Sequence, residues 1–246
     1  MQSFSPTIRW AGLSHVGRQR PRNEDVFHVL EEQACAVLAD GMGGHRGGDV
    51  AARIAVEQAC AWLQPRLADP AAMLAQRLCE AAEQANLAVL AAAERERGLI
   101  GMGATLLLAV LRPGRLIYAS VGDSRLYRFR SGGLAQLTRD HTMLQDLVDG
   151  GMITAEQARL APFRGMLTRA LGVMPGVEAD AGEVDLCTGD LLLLCSDGLT
   201  DMLDDDTIAG LLAEGDTLEE QAAALVQGAN RAGGRDNITV VLARAD

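Results

Sequence analysis

The chain has 246 residues, 48% of them hydrophobic, and a formal net charge of −11. This length suits one large core better than two separate ones, so we expect a single domain spanning residues 1–246. The acidic surplus excludes nucleic acid as the main ligand, because phosphate backbones are bound by surplus Lys and Arg. With no apolar run of 18 residues and no signal-like start, we expect a cytoplasmic protein without a membrane segment.

Five short runs of aliphatic and β-branched residues begin or end at an acidic residue and are predicted as strands. They cover residues 23–30, 34–40, 116–123, 190–197 and 236–244. Two further segments predict β-hairpins, one turning at Pro113-Gly114 and the other at residues 131–133. Because hairpins join antiparallel strands, the sheets are expected to be antiparallel.

Helices are predicted between and after these strands. The first runs from an N-cap at Asp49 to about Leu63, and the second starts at Asp69 with Pro70 as its first helical residue. A capping box formed by Thr217 with the acidic residue three positions later opens a helix that reaches about residue 229.

A similar capping box, Thr154 with Gln157, lies in a polar stretch at residues 141–165 that we interpret as a surface flap. The order of elements is neither a regular alternation of strand and helix nor a simple sandwich. It predicts an α+β fold in which two antiparallel sheets pack together with helices outside, an α-β-β-α sandwich.

Four of the strand ends carry aspartates flanked by glycine or asparagine: Asp40, Asp123, Asp197 and Asp236. A single such aspartate is most often a turn former. Two carboxylates about 4 Å apart repel by about 4 kcal/mol at an effective dielectric constant of 20, so a cluster needs protons or metal ions. In the absence of Cys or His pairs at ligand spacing, we predict Mg²⁺ or Mn²⁺, with the carbonyl of Gly41 as a further oxygen ligand.

The segment RPRNED (residues 20–25) adds a second charged element. An arginine guanidinium of this segment is suited to a bidentate contact with phosphate, and Glu24 with Asp25 could hold metal-bound water. Taken alone, this would be a solvated loop. Together with the aspartates it predicts a site that hydrolyses phosphate esters with a metal-activated water molecule.

Eight segments resemble, in order and approximate spacing, the metal-dependent protein phosphatase family, type 2C, in its compact bacterial form. The likeness extends from about Gly12 to Arg244. The segments are RPRNED, ADGMGGHRGG, GMGATLLL, VGDSRLYRFR, LTRDHT, LTRALG, CSDGLTD and GGRDNITVV. The resemblance implies a β-sandwich of two antiparallel sheets flanked by helix pairs, with two metal ions in a cleft at one end.

The resemblance also implies roles for individual residues. Asp40 corresponds to the carboxylate that bridges both metal ions, and Gly41 to the carbonyl ligand of one of them. Asp197 and Asp236 correspond to the remaining direct ligands of the first metal. Glu24 corresponds to the residue that holds water on the second metal.

The remaining assignments from the resemblance concern the surroundings of the two metal ions. Arg20 resembles the phosphate-binding arginine, and Asp25 supports the loop of Glu24. Asp123 and Asp201, together with Asp197, correspond to a third metal site of bacterial members. Asn237 orients the loop that carries the neighbouring aspartate.

Some positions depart from the family pattern. His15 stands where many relatives have an aspartate, so the support of Arg20 differs. Met42 stands where animal relatives have a histidine proposed as general acid, and we do not assign that role to the nearby His45. We expect His141 to be a structural histidine, with anchoring of the flap as the alternative.

The leading hypothesis is a phosphoserine/phosphothreonine protein phosphatase that reverses a bacterial Ser/Thr kinase, acts on phosphorylated proteins and is a monomer. Alternatives are a pseudophosphatase that binds phosphoproteins without turnover and a phosphoesterase for small molecules or nucleotides. A nucleophilic Cys195 is disfavoured, because a thiol in an apolar setting has a raised pKa.

Overall fold

The computed structural model describes residues 8–43, 47–161 and 165–245. The strands in these ranges are β1 (Ile8–His15), β2 (Asp25–Leu30), β3 (Cys35–Met42), β4 (Gly103–Ala104), β5 (Leu106–Arg112), β6 (Arg115–Val121), β7 (Arg125–Arg130), β8 (Gly133–Gln136), β9 (Asp180–Asp185), β10 (Leu191–Cys195) and β11 (Ile238–Ala245). The helices are α1 (Gly48–Leu63), α2 (Ala71–Arg95), α3 (Met143–Asp149), α4 (Ala155–Leu160), α5 (Asp197–Thr200), α6 (Asp205–Glu214) and α7 (Leu218–Arg231).

The strands form two antiparallel sheets. The first has the order β1-β11-β10-β7-β8, and the second has the order β2-β3-β5-β6-β9 with the short β4 paired to β3. Aliphatic side chains from both sheets meet in a shared core, which includes Leu38, Leu107 and Val241. The sheets therefore pack face to face.

A helix pair covers the outer face of each sheet. Helices α1 and α2 bury an apolar stripe against the second sheet, and α6 and α7 do the same against the first. The α1 stripe consists of small residues such as Ala51, Ala55 and Ala59, which let the helix lie close to its neighbours. The predicted α-β-β-α sandwich with flanking helix pairs is confirmed.

The predicted strands all form, with one consequential difference. Strand β3 continues beyond Asp40 to Met42, so Asp40 lies within the strand, opposite Asp25 of β2, and not at its tip. The extension exists because Gly41 and Met42 pair with β4. Asp123, Asp197 and Asp236, in contrast, lie just outside strands, as predicted.

Strands β1 and β9 were not predicted. In β1 the apolar residues do not alternate cleanly, and β9 (DAGEVD) is polar. Both are edge strands, where half-exposed polar sequence is tolerated, so composition does not reveal them.

Two predicted helix starts are wrong by one or two residues. Helix α1 begins at Gly48, with Gly47 as its N-cap. Asp49 therefore lies in the first turn, where its negative charge interacts favourably with the helix dipole. Helix α2 begins at Ala71, and Pro70 occupies the capping position. The capping boxes that open α4 and α7 are both present, and α7 continues to Arg231. None of the described helices is both long and apolar enough to cross a lipid bilayer.

Candidate metal centre

A cleft of about 610 Å³ opens where the ends of both sheets meet. It collects the predicted site residues from segments far apart in the chain. Its lining includes Arg20, Glu24, Asp40, Gly41, Asp123, Asp197, Asp201, Asp236 and Asn237. The structure thus brings together every predicted metal ligand in one concave surface. Asp25 lies behind this lining, and His45 lies outside the described residues.

Asp25 is buried beneath the cleft and connects the two sheets. One of its carboxylate oxygens accepts hydrogen bonds from Ser196 Oγ and Thr239 Oγ1, both at 2.7 Å. The other oxygen is buried and has no hydrogen-bond partner. Burial raises the pKa of Asp25 to about 6. The two hydroxyl groups act in the opposite direction, because they stabilise the ionised carboxylate. Its contacts therefore differ from the predicted support of the Glu24 loop.

The Glu24 loop is instead held by Asn237. The Asn237 side-chain oxygen accepts from the Glu24 backbone N–H at 2.8 Å. Its amide nitrogen donates to the carbonyls of Val16 and Arg22, both at 2.9 Å. The backbone N–H of Asn237 also donates to Asp236 Oδ1 at 2.8 Å. Asn237 thus joins the segment before β2 to the Asp236 loop.

Asp40 and Asp197 lie among other carboxylates, and the residues that the structure describes do not balance their negative charge. The pKa of Asp40 is raised well above its ordinary value by burial and then by the charges of Asp25 and Asp197. The pKa of Asp197 is raised in the same way by burial, Asp123 and Asp236. Asp197 Oδ1 is buried without a hydrogen-bond partner. Protons or cations must therefore supply the missing positive charge.

Gly41, Gly48 and Glu24 form a cradle of oxygen atoms. A side chain at Gly41 would clash with the backbone, because its Cβ would lie 2.1 Å from the Gly48 carbonyl oxygen. A Cβ at Gly48 would lie 2.6 Å from Glu24 Oε2 and 2.8 Å from the Gly41 carbonyl oxygen. The Glu24 carboxylate and the Gly41 carbonyl therefore converge on space that only the missing side chains leave open.

Arg20 forms an ion pair with Asp236 at 2.5 Å, although it was predicted to bind phosphate. Half of the Arg20 side chain remains exposed at the cleft rim. Among the described residues, no group of three or more His, Cys, Asp or Glu side chains is arranged so that it could hold a metal ion without rearrangement. The Asp236 carboxylate is already paired with a cation of the protein itself.

The residues nevertheless fit hard divalent cations. The unpartnered oxygens of Asp25 and Asp197, the raised pKa values and the glycine cradle all point to missing positive charge in an environment of oxygen atoms. Mg²⁺ and Mn²⁺ prefer carboxylate, carbonyl and water ligands, which is the donor set of this cleft.

Asp123 and Asp201 line the cleft together with Asp197. Asp123 is buried, and burial together with the charge of Asp140 raises its pKa to about 7. Asp201 is exposed one helical turn after Asp197. Their positions are compatible with the predicted third metal site.

His141 is fully buried and anchors the flap. Its Nδ1 accepts from the Gly122 backbone N–H at 3.1 Å, so the ring proton resides on Nε2, which lies 3.0 Å from Asp180 Oδ2. Arg169 also bonds to Asp180, at 2.7 Å. The histidine is structural, as expected, and it also connects the flap to the loop that carries Asp123.

Three buried polar residues that make hydrogen bonds escaped the sequence analysis, namely Thr105, Ser124 and Asn86. Thr105 Oγ1 accepts from the Asp40 backbone N–H at 2.9 Å and bonds to Ser124. Asn86, buried on α2, accepts from the Gly172 N–H and donates to the Met174 carbonyl. A polar residue in the apolar stripe of α2 was the available signal for Asn86. Nothing local distinguished Thr105.

Gly48→Ala should weaken Mn²⁺ binding about tenfold or more while the fold stays intact, because its Cβ displaces Glu24 Oε2 and the Gly41 carbonyl. Isothermal titration with Mn²⁺ measures the affinity, and thermal melting checks the fold. The matched control is Gly210→Ala in α6, whose Cβ would meet no atom within 4 Å. Equal Mn²⁺ affinity of the two variants would show that the cradle does not take part in metal binding.

The sequence model of the protein phosphatase 2C family matches residues 11–232. The chain therefore belongs to the protein phosphatase 2C family, and its class is that of a protein phosphatase. The layered sandwich and the acidic cleft at its end agree with this membership.

Individual relatives cover nearly the whole chain. The serine/threonine phosphatase stp of Listeria monocytogenes is 41% identical over 234 residues, 94% of this chain and 93% of that protein. The crystal structure of the Mycobacterium tuberculosis serine/threonine phosphatase PstP/Ppp matches with a TM-score of 0.89 at 39% identity, covering 97% of this chain and 99% of that one. A structure of the PstP catalytic domain in complex with two manganese ions has a TM-score of 0.86, 39% identity and the same coverage.

Proposed function

We propose that this protein hydrolyses phosphoserine and phosphothreonine in proteins with the help of two Mn²⁺ or Mg²⁺ ions. The observation that carries the proposal is the cleft in which Asp40 and Asp197 have raised pKa values and Asp197 keeps an unpartnered buried oxygen. The two manganese ions in the PstP structure support the same choice of metal.

The residues of the cleft have different proposed roles in holding the metal ions. Asp40 would hold both ions and the Gly41 carbonyl one of them, Asp197 and Asp236 would complete the ligands of the first, and Glu24 would hold water on the second. When bound, the ions supply the positive charge that activates a water molecule and neutralises phosphoryl oxygens. Asp123 and Asp201, together with Asp197, would hold a third ion.

The residues around the ligands orient the reactants. Arg20, half-exposed at the cleft rim, exchanges its contact with Asp236 for two phosphate oxygens, a geometry suited to its planar guanidinium. Asn237 fixes the Glu24 and Asp236 loops relative to each other. Asp25 keeps the two sheets in register beneath the site.

We also propose that the protein acts in the cytoplasm as a monomer and reverses phosphorylation by a Ser/Thr kinase. A pseudophosphatase would lack a metal-binding carboxylate, and Asp40, Asp197 and Asp236 are all in the cleft. Cys195 is no competing nucleophile, because burial raises the pKa of its thiol to about 12.

The experiment that tests this function is hydrolysis of p-nitrophenyl phosphate, a phosphothreonine peptide and free nucleotides under identical Mn²⁺. We expect the first two to be hydrolysed, nucleotides to be poor substrates, EDTA to abolish turnover and Mn²⁺ to restore it. Turnover that persists after removal of metal contradicts the mechanism. Preference for nucleotides favours the small-molecule phosphoesterase.

Arg20→Ala should raise KM for p-nitrophenyl phosphate about tenfold or more, with a smaller change in kcat, because a charge-assisted contact with phosphate is lost. Steady-state kinetics with saturating Mn²⁺ measures both constants. Isothermal titration with Mn²⁺ distinguishes this phosphate-binding role from the alternative in which Arg20 only positions Asp236. In that case the metal affinity changes and KM does not.

A further inference from the structure

Exposed arginines lie on the side of the cleft formed by the loops before β2 and before β11. Arg18, Arg22 and Arg235 are exposed, and Arg22 also lines the cleft. These three residues are called the arginine rim here. The chain as a whole has a formal net charge of −11, so the arginine rim is a local exception in the charge of its surface.

Two loops that meet after folding bring the arginine rim together. The backbone N–H of Arg18 donates to the Gly234 carbonyl at 2.7 Å. A Cβ at Gly234 would lie 3.1 Å from Arg18 Cγ, and a Cβ at Gly233 would lie 3.9 Å from Arg235 Cγ. The stems of both arginines therefore lie against the same pair of glycines, just before Asp236 in the chain.

The members of the arginine rim form no ion pair with the Asp and Glu side chains that the structure describes, in contrast to Arg20, which pairs with Asp236. Among the described carboxylates, that of Glu24 interacts with one member of the rim. Burial and a neighbouring aspartate raise the pKa of Glu24, and the charges of Arg20 and Arg22 act in the opposite direction. The charge of Arg22 is therefore partly balanced by the cleft.

The parts of the chain outside the described ranges add no acidic side chain near the rim. Residues 1–7, 44–46 and 162–164 contain no Asp or Glu. The one Asp or Glu outside the described ranges, Asp246, follows the last residue of β11, and that strand spans about 24 Å from its first residue beside the cleft. The charges of Arg18 and Arg235 are therefore available to an anion from outside the protein.

The arginine rim also lies within reach of a substrate held in the cleft. Arg235 is the chain neighbour of Asp236, which lines the cleft, and the Cα atoms of neighbouring residues are about 3.8 Å apart. An extended peptide advances about 3.3–3.6 Å per residue, so positions one to three residues from the phosphorylated one can lie over the rim. A guanidinium binds a carboxylate or a phosphate with two parallel N–H groups.

We propose that the arginine rim binds a second anionic group of the substrate, a carboxylate or a further phosphate, within about three residues of the phosphorylated residue that is hydrolysed. Arg20 and the metal ions take the scissile phosphate, whereas Arg18 and Arg235 take the second anion. This inference rests on the proposed function, and it narrows the substrate class to phosphoproteins whose phosphorylated segment is acidic or carries more than one phosphate.

The test compares phosphothreonine peptides that differ at one flanking position at a time, using the full chain with saturating Mn²⁺. That position carries Gln, Glu, Arg or a non-hydrolysable phosphonate analogue of phosphoserine. At one or two positions, kcat/KM should rise about fivefold from Gln to an anionic residue and fall for Arg, as expected for one or two exposed ion pairs. The larger of the increases for Glu and for the phosphonate identifies the preferred anion. Both should shrink at about 0.5 M salt, because exposed charges are screened.

A double variant locates the preference in the arginine rim. In Arg18→Gln/Arg235→Gln, the ratio of kcat/KM for the anionic peptides to that for the Arg peptide should fall toward one, whereas hydrolysis of p-nitrophenyl phosphate should not change. The backbone bond to Gly234 does not depend on the side chain, so the two loops stay in contact. The matched control is Arg95→Gln/Arg97→Gln, which removes the same charge from exposed positions that do not line the cleft. It should keep the wild-type ratio.

The outcomes separate this inference from the proposed function. Hydrolysis of p-nitrophenyl phosphate with equal kcat/KM for all peptides, or with a preference for Arg, overturns the rim proposal and leaves the phosphatase activity standing. An unchanged ratio in the double variant of the rim, or an equal loss in the control variant, also overturns it. If neither p-nitrophenyl phosphate nor any peptide is hydrolysed, the proposed function is wrong and the rim proposal with it.

Discussion

Asp40→Asn should lower kcat by about a thousandfold and, in EDTA near pH 7.5, make the protein more stable than the wild type. The rate falls because the residue proposed to hold both ions loses its charge. Stability rises because the substitution removes a carboxylate whose ionisation is opposed by burial and by Asp25 and Asp197. Activity with p-nitrophenyl phosphate and urea denaturation in EDTA measure the two effects.

Asp206→Asn is the control for Asp40→Asn, because it removes the same charge from an exposed position. It should change neither the rate nor the unfolding midpoint by a comparable amount. Mn²⁺ should stabilise wild type and Asp206→Asn but not Asp40→Asn, because only binding to the native state shifts the unfolding equilibrium. An active Asp40→Asn variant would contradict the assignment of Asp40.

The metal-free protein should lose stability as the pH rises from about 5 to about 7.5. The pKa of Asp25 is about 6 and that of Asp123 about 7, against an ordinary value of 3.8. Between these limits the native state binds more protons than the unfolded state, so the free energy of unfolding falls with pH. Asp25 alone should lower the free energy of unfolding by about 1 kcal/mol over this range, because about one pH unit of it lies below the native pKa of Asp25.

Urea denaturation in EDTA at several pH values measures this slope. Carboxylates with lowered pKa values, such as Asp180 and Asp190, stay ionised across this range and do not oppose it. Saturating Mn²⁺ should reverse the trend, because metal binding requires deprotonated ligands and strengthens as the pH rises. Metal-free stability that is flat or rises between these pH values would show that the buried acids are not protonated in the native state.

The site chemistry was accessible to sequence analysis because glycine and aspartate mark the places where strands stop. Asp123, Asp197 and Asp236 each follow or precede a strand, and antiparallel sheets bring such ends together. Asp40 was found for the same reason, although β3 continues past it through pairing with β4, a two-residue strand that no local pattern reveals.

The contacts beneath the site could not be predicted from the sequence, because they join residues far apart in the chain. Asp25 meets Ser196 and Thr239, which are 171 and 214 residues away. Each of these residues belongs to an ordinary strand or strand end when considered alone. The pairing of Arg20 with Asp236 has the same origin, because it depends on how two loops meet after folding.

Asp25 also couples catalysis to the assembly of the sandwich. Its carboxylate belongs to one sheet, whereas Thr239 belongs to the other, so separating the layers breaks this hydrogen bond and moves Asp40, which lies opposite Asp25 in the same sheet, away from Asp197 and Asp236. Neither layer retains a working site by itself. Turnover therefore requires that the two sheets remain packed together.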